Sequence, residues 1–169
     1  TMRHQRLDRS KLRIAPLRKR TNRTLIERDC VSPDTKPRRL SGQALAIVNE
    51  TLKRIRAARR NRKSVMITFG AHAIKNGLGP VLIRLLEAGW LTHLATNGAG
   101  IIHDWELAFQ GETSEDVRAN VATGQFGLWQ ETGFHLNLAL ALGAWDGLGY
   151  GEAVGRLIAT ERHDVPPRE

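Results

Sequence analysis

Leu94 to Glu106 reads LATNGAGIIHDWE, and the character of the whole chain turns on this stretch. It leaves an apolar run, passes Gly98 and Gly100, and enters a segment of helical spacing that carries His103 and Asp104. Two structures satisfy that order. One is a glycine turn at a helix start, with backbone N–H groups facing a phosphate or carboxylate. The other is a tight bend between packed elements.

Upstream, Val65 to Phe69 (VMITF) is short, apolar and β-rich, which predicts a buried strand. The segment GAHAIKNGLG, residues 70–79, reads as a loop. Pro80 then stands in the first turn of a helix whose apolar stripe is Val81, Leu82, Leu85 and Leu86, ending at Gly89. Trp90 to Thr96 predicts a second strand, and a helix follows from about Ile101 to Phe109. Strand, helix, strand and helix at this spacing form a βαβ unit with parallel strands and a right-handed crossover.

Farther out, Ser41 is an N-cap, and Leu45, Val48, Leu52 and Ile55 recur at steps of three and four, which predicts an amphipathic helix over Gly42–Arg60. On the other side, Thr113 with Asp116 resembles a capping box opening a short helix that stops near Gly124. Residues Phe126 to Leu142 and Glu152 to Glu161 read as mostly helical, with GAWDGLGYG between them and DVPPRE as a tail. The expected fold class is α/β, a Rossmann-like parallel sheet with flanking helices over residues 41–169, preceded by an extended basic arm over 1–40. A parallel sheet of this class has more than two strands, so either the last third hides short strands or the chain is part of a larger protein.

The net charge of +9 is unevenly placed. Residues 1–40 hold 13 Lys/Arg against 4 Asp/Glu, whereas residues 41–169 hold 13 of each. Lys53 to Lys63 form a second basic cluster at the end of the predicted helix, where positive charge suits the helix dipole. Residues 64–169 carry 6 basic against 12 acidic residues, so an acidic unit follows a basic leader. Pro16, Pro33 and Pro37 interrupt any long helix in that leader. Such an arm has the chemistry to contact polyanions, or it packs on a partner subunit or stays solvated. No apolar run approaches the roughly 20 residues of a membrane helix, and the single Cys30 excludes an intramolecular disulfide. A soluble, cytoplasmic protein is expected.

In an open α/β sheet, ligands bind beyond the carboxyl ends of the strands. Both glycine-containing connections, Gly70 to Gly79 and Asn97 to Gly100, lie there. His72, Lys75 and Asn76 accompany the first, and His103, Asp104 and Glu106 the second, so the two sets are expected to converge on one crevice. A histidine and a carboxylate there suit proton transfer or hydrogen bonding to an amine or a ribose. His93 reads as an interior or interface histidine, and Trp105 and Trp129 as core. Asn97-Gly98-Ala99-Gly100 matches neither GxGxxG nor the P-loop, and no spacing demands a metal.

The run ITFGAHAIKNGLGPVLIRLLEAGWLTHLATNGAGIIHDWE resembles the cofactor-binding segment of the deoxyhypusine synthase family. There a strand leads to a Ser/Asn-rich loop, a helix, and a strand ending in Thr-Thr-Ala-Gly-Gly before an acidic pair. Thr96-Asn97-Gly98-Ala99-Gly100 stands at the glycine motif, His103 and Asp104 at the acidic pair, and Ala73 to Gly77 at the first loop. The segment GETSEDVRANVATGQFGLWQETG is similar to a bacterial branch called deoxyhypusine synthase-like. The resemblance covers about residues 65–135. It implies a Rossmann-type fold that binds NAD, a homo-oligomer with sites between subunits, and transfer of an aminobutyl group from a polyamine. It assigns Thr96, Asn97, Gly98, Ala99, Gly100, His72 and Asn76 to the cofactor, and His103 and Asp104 to the nicotinamide or amine.

The chain departs from the family in two ways. No lysine follows Lys75, so the nucleophile expected to carry the imine is missing from residues 76–169, and His103 replaces a glutamate of the acidic pair. The competing class is a non-catalytic binding or assembly module whose basic arm contacts RNA or an acidic partner.

Overall fold

The structure, a computed structural model, describes residues 7–160; the first six residues of the expected arm and the DVPPRE end lie outside that range. Two 3-10 turns (Arg9–Lys11 and Leu17–Lys19), strand β1 (Asn22–Leu25) and a helical turn α1 (Ile26–Asp29) precede helix α2 (Gly42–Arg60). Then come β2 (Met66–Phe69), α3 (Ala71–Lys75), α4 (Gly79–Glu87), β3 (His93–Thr96) and α5 (Gly98–Gln110). The chain continues through β4 (Glu112–Glu115), α6 (Val117–Ala122), α7 (Gln130–Trp145) and α8 (Tyr150–Thr160).

The βαβ expectation holds in its pairing: β2 and β3 are parallel, with Met66 opposite His93 and Phe69 opposite Thr96. The sheet differs from the expected one in extent. It has two strands, and the other sheet is the antiparallel pair β1 and β4, so the described residues are mixed α/β with two small sheets rather than one wide parallel sheet. Strand β2 is covered on one face only: Ile67 and Phe69 pack into an apolar cluster, whereas Met66, on the other face, is 59% exposed.

Local chemistry explains the helix boundaries. Ser41 Oγ accepts from Ala44 N at 3.3 Å to open α2, Pro80 occupies the first turn of α4, and Gly111 closes α5 at φ 72°. Three expectations are corrected. Residues 70–79 are not an open loop, since Ala71–Lys75 is helical. The NGAG turn is the cap and first turn of α5, which begins at Gly98 and not Ile101, because Asn97 Oδ1 accepts from Gly100 N at 3.0 Å. Thr113 is no cap; it sits in β4 opposite Thr24, and Asp116 caps α6 by accepting from Ala119 N at 3.1 Å.

The leader also differs from a free extended arm. Leu17 is completely buried and Arg20 is 7% exposed. Ala15 bridges Trp129, β1 pairs with β4, and Val31 N donates to the carbonyl of Gly77 at 2.9 Å. Gly77 permits that last contact, since its φ is +81° and a Cβ there would overlap the carbonyl of Asp29.

Two apolar clusters result. Leu17, Trp105, Trp129, Leu136, Ala139, Val154 and Leu157 join the leader to α5, α7 and α8. Ile74, Leu82 and Leu91, with Ile67, Phe69 and Leu94 packed on them, join the parallel pair to α3 and α4. Helix α2 buries none of its residues, and the expected stripe residues Leu45 and Val48 stand exposed. Its last turns are anchored by Arg59, whose guanidinium lies 4.2 Å from the Trp90 ring centre.

Candidate functional site

A cleft of about 760 Å³ runs along β3 from His93 to the start of α5 and reaches Phe69 at the carboxyl end of β2. Its floor is Phe69, Thr96 and the first turn of α5; one wall is the apolar face of α4, with Leu82, Ile83 and Leu86. The opposite wall is the first turn of α8, from Gly149 to Glu152. Two helix starts therefore face one space, each with backbone N–H groups that lack intrahelical acceptors. A Cβ built on Gly98 would lie 4.0 Å from Tyr150 Cε1, at ordinary van der Waals distance, so the starts of α5 and α8 lie close to each other here. Gly100 serves packing: a Cβ there would overlap Thr96 Oγ1, so only glycine lets the end of β3 lie against the helix that follows it.

The residues assigned from the sequence separate into two groups. Thr96, Asn97, Gly98, Gly100 and Asp104 all line the cleft. His72, Asn76, Ala99 and His103 do not. His72 and Asn76 are exposed on α3 and at its end, and consecutive helical residues diverge by about 100°, which turns His103 away from the wall that Asp104 occupies. His93 is an exposed residue of the cleft lining and not an interior histidine; Trp105 and Trp129 are core as expected.

Asp104 is open to the cleft, yet the protein around it removes enough water to push its carboxyl above the ordinary range. Tyr150 is raised for the same reason. With Glu152, these give the cleft two carboxylates and a phenol, with His93 the one basic side chain and no Lys or Arg among the described residues that line it.

Behind the cleft lies a closed polar network. Glu106 is 1% exposed and accepts from Arg20 Nη1 at 2.8 Å, Arg20 Nη2 at 2.6 Å, Thr132 Oγ1 at 2.9 Å and Thr113 Oγ1 at 2.5 Å. Thr113 has one hydroxyl proton, directed at Glu106, so its oxygen must accept from His103 Nδ1, 2.8 Å away. That assigns the Nδ1–H tautomer to His103. Partial burial holds the imidazole below its usual pKa; Glu106 opposes that shift, and Lys75, Arg20 and His72 add to it.

Glu106 therefore belongs to a structural lock and not to the crevice. The sequence reasoning missed Tyr150 and Glu152, although glycines preceding an apolar helix in GLGYG repeat the signal of NGAG. It also counted Arg20 only as charge. Nothing local in the sequence marks Arg20 as buried.

Comparison with family models, with curated proteins and with solved structures gives no match.

Among the described residues, no helix is long and apolar enough to cross a membrane, and no group of three or more His, Cys, Asp and Glu residues is placed to hold a metal ion.

Proposed function

We propose that the chain carries the NAD-binding part of a deoxyhypusine synthase-like aminobutyl transferase, a Rossmann-type cofactor unit that works as a homo-oligomer on a polyamine. The observation that carries the reading is the convergence of the α5 and α8 starts on one cleft that reaches the carboxyl ends of the parallel strands. The volume falls within the range of about 300–1,000 Å³ common for small-molecule sites.

The lining suits the cofactor part by part. Backbone N–H groups at Gly98 and Ala99 and at Tyr150 to Glu152 would take the pyrophosphate. Asp104 and Glu152 would accept from ribose hydroxyls or hold an amine, and Phe69, Leu82 and Ile83 would cover a ring. Two carboxylates without Lys or Arg favour NAD over its 2′-phosphorylated form. Bound there, NAD supplies a hydride acceptor for oxidising an amine. A lysine to carry the transferred group is not found within residues 76–169, so the proposal for this chain's own residues extends to cofactor and amine binding. Phe134, Leu142 and Trp145, exposed on α7, are apolar surface for assembly of copies to cover.

Calorimetric titration of NAD and of NADP into the purified chain, with its mass measured in the same buffer, tests the reading. Saturable binding of NAD, weaker binding of NADP and loss of both in Gly98→Val are expected. An assembled oligomer that binds neither nucleotide would remove the cofactor role from this cleft.

A further inference from the structure

A second cavity has the opposite chemistry. It measures about 540 Å³ and lies between the leader and the turn joining α6 to α7. Lys11, Arg13 and Lys19 line it from the leader; Asn120, Gln125 and Trp129 line it from the other side, and no Asp or Glu is among its lining residues.

The cavity is built rather than a chance alignment of surface cations. Ala15 N donates to Leu128 O at 3.0 Å, and Gln130 N donates to Ala15 O at 2.9 Å. Gln125 Nε2 donates to Leu128 O at 2.8 Å and reaches Arg13 O at 3.4 Å. Leu17, buried in the core two residues after Ala15, prevents the leader from sliding. The backbone that presents Arg13 and Lys19 is thus pinned on both sides of the cavity.

The charges there are available. Lys11 lies 3.8 Å from Asp8 and is partly offset. Among the described residues no carboxylate lies within ion-pair distance of Arg13 or Lys19, whereas Arg20 and Arg23 are engaged by Glu106 and Asp116. Trp129, nine-tenths buried, forms part of the wall, and its indole N–H has no acceptor among the described residues, an omission that buried donors rarely show. Cations gathered in a concavity focus positive potential, and tetrahedral anions with several acceptor oxygens draw most from it.

We infer that this cavity is a binding site for a phosphate-bearing anion, separate from the cleft between α5 and α8. The phosphate belongs either to a small free phosphate compound or to a single-stranded RNA backbone, and the test tells them apart. Inorganic pyrophosphate titrated into the full chain by calorimetry is expected to show a saturable component that added salt weakens. Arg13→Ala combined with Lys19→Ala should weaken it by roughly tenfold or more. Lys19→Arg should retain it, and it should persist in Gly98→Val, where any pyrophosphate held at the start of α5 is lost. Both substituted side chains are exposed, so the double variant is expected to keep the wild-type circular dichroism spectrum.

A short RNA that competes with pyrophosphate, and also loses affinity in the double variant, identifies the backbone as the source; pyrophosphate binding without RNA competition identifies a free phosphate compound. Absence of saturable pyrophosphate binding, equal binding by the folded double variant, or a loss confined to Gly98→Val would overturn the inference.

Discussion

Arg20 and Glu106, 86 positions apart in the chain, meet as a buried fork of two hydrogen bonds at 2.8 and 2.6 Å. The pair ties the basic leader to the helix that floors the cleft, and Arg20 also lies 5.4 Å from the Trp129 ring centre. Charges this deep are stable only together, since each would otherwise be desolvated without compensation.

Glu106→Ala should therefore cost about 3–5 kcal/mol, because it strands the Arg20 guanidinium in the core. Arg20→Met with Glu106→Leu should cost clearly less than the sum of the two single changes. Urea midpoints of Glu106→Ala, of Arg20→Met, of Glu106→Leu and of the double variant measure this. A near-wild-type midpoint for Glu106→Ala would show that the leader does not dock as described.

Gly100→Ala should destabilise by about 1–3 kcal/mol through overpacking against Thr96. Thr96→Ala in the same chain should recover much of that loss, because it removes the Oγ1 that the new methyl meets. Thermal unfolding of the two single variants and the double variant reads the coupling; strict additivity would place Thr96 elsewhere.

His103 makes stability depend on pH with a defined sign. Its folded pKa lies below the ordinary value of 6.5, so the folded state binds fewer protons than the unfolded state as the pH drops. Its contribution is complete above pH 6.5 and is lost as the pH falls through the lower folded value. His103→Gln should flatten the decline of Tm on acidification from about pH 7 to pH 5. An equally steep decline would assign it to other groups.

Asp104 carries the opposite sign. Its pKa is raised by desolvation, so ionising it costs folding stability as the pH rises past 3.8 toward the folded value. Asp104→Asn should raise Tm at pH 7 and weaken binding of NAD or an amine, the exchange expected where a site is held for function. A lower Tm together with unchanged binding would remove Asp104 from the proposed site.

The local grammar of the chain was legible in the sequence. Ser41 and Asn97 open their helices, Pro80 sits in a first turn, and VMITF pairs with the segment ending at Thr96, because caps, proline and short apolar runs act over a few residues. The cleft was legible for the same reason: a helix starting just past a parallel strand places Thr96, Asn97, Gly98 and Gly100 beside each other whatever surrounds them. Thr113 was misread because its partners, Thr24 and Glu106, come from elsewhere in the chain.

The sequence by itself determined the parallel pair, the helix between its strands and the glycine start of α5, all of which follow from neighbouring residues. Tertiary structure alone decided that Leu17 and Arg20 leave the basic leader for the core, that Tyr150 and Glu152 complete the cleft, and that His103 turns from Asp104 toward Thr113. The physical reason is that burial and charge pairing are properties of contacts between distant segments. An arginine in a run of cations carries no local sign of the one carboxylate, in another part of the chain, that will bury it.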